Sequence, residues 1–137
     1  MKIGKVLVAA VAVTVFDTVV GILTCGGVFN WVYKLEPTNV WKSIDGPPGA
    51  MMYIGSLILN ILLVTVYVFI RKGIPGRTRI AKGIVFGLCV WVVGTLPGMF
   101  ATYYFMTVAT TVVVYWTILA LIQTPLKGLI IAAMYGD

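Results

Sequence analysis

Four long apolar blocks, separated by short polar stretches, fill most of the chain: Val6–Phe29, Ala50–Ile70, Gly83–Ala101 and Tyr103–Leu126. Each is close to or above the roughly 20 residues that carry a helix across a bilayer. The blocks are continuous and do not alternate with a period of two, and the turn signals that a barrel needs about every ten residues are missing. A helix also satisfies its backbone polar groups within its own segment, as lipid demands. The pattern predicts an all-α integral membrane protein, an antiparallel bundle of four transmembrane helices over 5–28, 50–71, 80–101 and 104–127. Residues 1–137 then form a single membrane domain, with an outer loop at 30–49, a basic inner turn at 71–82 and an apolar tail at 128–137. The tail either continues a long, tilted last helix or bends at Pro125 to lie along the inner interface.

Composition rules out a separate soluble domain. Of 137 residues, 61% are hydrophobic and only 10% charged, against about a quarter charged in soluble domains. Met1–Lys5 followed by Val6–Phe16 has the form of a signal peptide. Asp17 interrupts its apolar core, so the segment is expected to remain as the first transmembrane helix.

The net charge of +6 is unevenly spread. Lys2 and Lys5 precede the first block, and the turn RKGIPGRTRIAK carries Arg71, Lys72, Arg77, Arg79 and Lys82 with no acid. Lys34 and Lys42 in the longer loop are balanced by Glu36 and Asp45. Positive segments stay cytoplasmic, which puts both termini and the basic turn inside and the loop outside, in a multi-pass protein of the plasma (inner) membrane. Topology and contact with anionic headgroups explain the cations, so the lipid bilayer is the expected partner and no nucleic acid is. Trp31 and Trp41 are expected as anchors at the outer interface.

The chemistry centres on Asp17, the lone charge in Val6–Phe29. Counting the rise per residue from the predicted ends places Asp17 about 18 Å above the inner boundary, Asn60 about 16 Å and Thr117 about 12 Å. Gln123 lies lower. Lys127 reaches Asp17 only if the fourth helix slides or tilts to raise it from the interface. An ionised Asp facing lipid costs roughly 3 kcal/mol or more, so Asp17 is expected to face protein, with Asn60 as first partner. Thr117, Gln123 and Lys127 complete the candidate polar site. A proton- or cation-binding carboxylate and a structural interhelical bond are both open readings. The chain has no His, which excludes His-ligated haem and His-based metal sites. Cys25 and Cys89 form no CxxC motif. No cofactor, no metal and no enzymatic activity are expected.

Gly83, Gly87, Gly94 and Gly98 are spaced four, seven and four. At 100° per residue they form a stripe about 60° wide on the third helix, which lets another helix of this or a second chain approach closely. Pro97 is expected to kink or end that helix.

The elements Asp17, Trp41, RKGIPGRTR, KGIVFGL and VVVYWTILALIQTPLKGLIIAAMYG together resemble a broad group of small bacterial four-helix membrane proteins. The resemblance spans most of the chain and implies the fold, with no activity attached. Four helices, few charges and a carboxylate in helix one also resemble the small multidrug resistance transporters, although the twenty-residue first loop departs from their short-loop plan. The expected function is non-catalytic: helix association, as an accessory or structural subunit of a membrane complex or as a homo-oligomer. The alternative is a proton-coupled transporter of small molecules or cations built on Asp17.

Overall fold

In the computed structural model, which describes residues 1–42 and 48–136, every regular element is helical and no strand occurs among the described residues. Helix α1 (Ile3–Leu23) runs on through a π turn at Thr24–Val28, and a short 3₁₀ segment follows at Asn30–Lys34. Helix α2 spans Ala50–Ile70 and α3 spans Arg79–Val90. A π turn at Trp91–Thr95 joins α3 to α4 (Leu96–Phe105), and α5 covers Thr110–Tyr135. Four of the resulting helical stretches, Ile3–Val28, Ala50–Ile70, Arg79–Phe105 and Thr110–Tyr135, are long and apolar enough to cross a membrane. Threonine hydroxyls within them are satisfied locally, as the bonds from Thr14 to the Ala10 carbonyl and from Thr65 to the Ile61 carbonyl show.

Several boundaries differ from the sequence expectation. The last helix starts at Thr110, not 104, and the third runs to Phe105, not 101. The tail from Gly128 onward continues α5, helical to Tyr135, and the helix passes through Pro125 without ending. It does not peel away along an interface. Asp45, Gly46, Pro47 and Asp137 lie outside the described residues. Pro97 does not end the third helix, which runs on to Phe105. The interruption comes earlier, at the π turn, and Pro97 then falls in the first turn of α4, where its missing N–H costs least.

The helices pack tightly at the end that carries the basic turn, called here the basic end. On α1, Val6, Ala9, Ala10 and Val13 are buried at helical spacing; α2 supplies Asn60, Val64 and Tyr67, and α5 supplies Ile131, Ala132 and Tyr135. Tyr67 of α2 meets Phe86 of α3 edge to face, with centroids 5.2 Å apart. Helices α3 and α5 make the closest approach. A Cβ on Gly83 would strike the Gly128 backbone, and one on Gly87 would strike that of Thr124 and Pro125. The helix ends are tied as well: Lys5 Nζ donates to the Tyr135 carbonyl at 2.9 Å, and Arg71 Nη1 donates to the Gly136 carbonyl at 3.0 Å. These cations complement the carbonyl end of α5.

The expected four-glycine stripe is therefore halved. Gly83 and Gly87 face α5 of the same chain, whereas Cβ atoms on Gly94 and Gly98 would meet nothing within 4 Å. The π turn is the reason. One extra residue in the turn rotates everything after it by about 100° relative to a continuous α-helix.

At the opposite, loop end a smaller cluster forms from Val32, Val108, Val112 and Val113. Trp41 packs into it against Tyr33 and Trp116, at 5.2 and 5.9 Å between centroids. Trp31, by contrast, is exposed.

Candidate functional site

Asp17, Lys127, Asn60 and Thr14 form one polar cluster joining three helices. Lys127 Nζ on α5 lies 2.7 Å from Asp17 Oδ1 on α1. Asn60 Nδ2 on α2 donates to Asp17 Oδ2 at 3.1 Å and to Thr14 Oγ1 at 3.0 Å. Thr14 is free to accept because its own proton goes to the Ala10 carbonyl. Each carboxylate oxygen therefore has a donor, and the amide has two acceptors.

The shared depth of Asp17 and Asn60 brings them together as expected. Lys127 joins them because the last helix is displaced along the chain, to Thr110–Tyr135 in place of the expected 104–127, which raises Lys127 from the helix end. With α5 reaching Tyr135, Lys127 stands eight residues inside the helix, about 12 Å from its end, and its long side chain spans the rest. The side chains of Lys127 and Asp17 keep 21% and 19% of their accessible surface, so the pair is mostly but not wholly enclosed. Breaking such a pair leaves a charge without its partner in an apolar setting, which is far costlier than the net value of the intact pair.

Thr117 and Gln123 are not brought to this cluster. The Thr117 hydroxyl bonds to the Val113 carbonyl, and the Thr117 carbonyl accepts the Trp91 indole N–H at 3.0 Å. Gln123 is half-buried one turn before Lys127 on α5 and makes no bond to Asp17. Thr14 was missed by sequence reasoning, although it lies three residues before Asp17, on the same helix face.

Beside the cluster, toward the loop end, lies a cavity of about 540 Å³. Asp17 and Thr18 form its polar floor, Cys25, Asn30 and Tyr33 line one wall, and Met52 and Tyr53 of α2 another. Tyr33 is fixed in that wall: it donates to Cys25 Sγ at 3.2 Å and accepts the Trp116 indole N–H at 2.8 Å. Burial pushes its phenol well above the ordinary tyrosine range, with the bond to Cys25 acting in the same direction, so Tyr33 stays protonated and keeps donating. Among the described residues, no group of three or more His, Cys, Asp or Glu is placed to hold a metal ion.

Comparison with known proteins gives no match, whether to a family model, to a curated protein or to a solved structure.

Proposed function

We propose that the chain is a non-catalytic, multi-pass protein of a bacterial inner membrane that works by association with another membrane helix, as an accessory subunit or with a second copy of itself. It is arranged up and down, with both termini and Arg71–Lys82 on the cytoplasmic side. The five cations without an acid in that turn support this orientation, as do the bonds that gather the start of α1 and the ends of α2 and α5 at one end. The Asp17 cluster serves as a clamp that holds α1, α2 and α5 in register.

One observation carries the association reading. The loop-end half is left open: α2 has no buried residue before Asn60, and the third span has none after Gly87. The opening lies beside a cavity whose polar floor carries Asp17, the acid of the ion pair, and Thr18. Lipid tails satisfy apolar faces but not that floor, whereas a partner helix covers both. Native electrophoresis in mild detergent tests the proposal. A second polypeptide or a second copy is expected with the chain, and a strictly monomeric 14.9 kDa species would remove it. Orientation is tested by labelling single cysteines from outside, in a chain with Cys25 and Cys89 replaced by Ser. Asn39→Cys is expected to react and Gly73→Cys to stay protected.

The cavity favours a second reading, proton-linked carriage of a small molecule through Asp17. There, Asp17→Asn abolishes flux while leaving the bundle folded. Unchanged flux in that variant excludes it.

A further inference from the structure

The cavity beside the Asp17 cluster has a chemical preference that its own hydrogen bonds set. Its floor offers acceptors. The Lys127 ammonium meets Asp17 Oδ1 at 2.7 Å, and the Asn60 amide donates to Oδ2 at 3.1 Å. A carboxylate has about four lone-pair sites, so each oxygen can still accept. Thr18, beside it, spends its proton on the Thr14 carbonyl at 2.9 Å, which leaves Thr18 Oγ1 as an acceptor too. The wall above follows the same pattern, since the Tyr33 proton goes to Cys25 Sγ. Asn30 and Tyr53, which can donate, stand at the loop end and are exposed.

Space and charge narrow the occupant further. Gly21 and Gly26 line the cavity, and a Cβ on either would meet nothing within 4 Å, so missing side chains supply part of the room. Ile22 and Met52 add apolar walls. From Asp17 to Cys25 the wall rises about 12 Å. The volume of about 540 Å³ falls within the roughly 300–1,000 Å³ of small-molecule sites. Lys127 already balances the Asp17 charge. A cationic ligand would bring a second positive charge into an apolar setting, whereas an uncharged donor leaves the balance as it is. We propose that the cavity binds an uncharged, elongated apolar molecule that ends in a hydroxyl or N–H donor. The donor bonds to Asp17 and Thr18, and the body lies along Gly21, Ile22 and Met52. This deepens the second reading above and rests on its premise that a small molecule enters the cavity.

The test is equilibrium dialysis of the full chain in lipid nanodiscs, with empty nanodiscs as the blank. The probes are para-pentylphenol, its methyl ether and para-pentylphenyltrimethylammonium. The phenol is expected to bind saturably, one molecule per chain. The ether keeps the body without the donor and should bind at least about tenfold more weakly. Gly21→Leu fills open space and touches no bond of the floor, so it should abolish binding with the unfolding midpoint unchanged. In a Cys89→Ser chain, saturating phenol should also protect Cys25, which lines the cavity, from N-ethylmaleimide. That protection reads occupancy even if Gly21→Leu misfolds. Equal binding of phenol and ether, or tighter binding of the ammonium probe, would overturn the ligand class alone. No saturable binding of any probe, or phenol binding that leaves Cys25 unprotected, would overturn the proposal together with its premise. Transport does not enter the measurement, so binding without flux keeps the site and removes only carriage through Asp17.

Discussion

The two halves of the bundle are built from equally apolar helices but pack very differently. At the basic end, Ala9, Ala10, Gly83, Gly87, Gly128 and Ala132 are buried and the backbones come close. At the loop end, the outer halves of α2 and of the third span display Ile54, Ile58, Val92, Val93 and Phe100 to the surroundings. Gly21, Gly26, Gly94 and Gly98 there have open space where a Cβ would go. Hydrophobicity cannot explain the difference, because lipid is as apolar as either half. Small residues in register, and polar atoms that find partners across helices, decide which faces close.

The largest effect is expected from filling the closed half. Gly87→Leu drives a side chain into the Thr124–Pro125 backbone and should cost about 3 kcal/mol or more, read as a lower unfolding midpoint in detergent. Gly94→Leu and Gly98→Leu should fold normally; if all three behave alike, the division into halves is wrong. Next comes the clamp. Asp17→Leu strands Lys127 and should cost about 2–3 kcal/mol. Asp17→Leu with Lys127→Met should recover most of the loss, and a double-mutant cycle measures the coupling. Asn60→Leu removes the bonds to Asp17 and Thr14 and should cost about 1 kcal/mol.

Much of this division was legible from residues, and part was not. Asp17 and Asn60 could be paired by counting helical rise, because both of their helices start and stop near the expected places. Lys127 was a candidate, but its depth depends on where α5 lies. The segment Met106–Ala109 breaks the helix with no Gly or Pro to announce it, so a start at 104 was the natural expectation. The glycine stripe failed halfway for a related reason. A π turn has no residue signature in WVVGT, and periodicity counted at 100° per residue runs straight through it. Thr14 was hidden because a threonine in an apolar helix usually bonds only its own backbone.

The smallest expected effect lies at the loop end. Tyr33 is held protonated, so its folded-state pKa lies above the unfolded value. The docking of the 3₁₀ segment should be insensitive to pH below about 10 and weaken as pH rises above that. Fluorescence of the Trp41–Trp116 pair across an alkaline titration reads this. Tyr33→Phe should lower the docking stability by about 1 kcal/mol.

The open half itself is most directly tested by photo-crosslinking in the native membrane. A photoreactive residue is placed at Ile54 or Val93 in the open half, and at Leu7 or Phe69 near the basic end, all four of which are exposed. Polypeptide adducts are expected from Ile54 and Val93, with lipid adducts alone from Leu7 and Phe69. Lipid adducts alone at all four positions would contradict a partner on the open half.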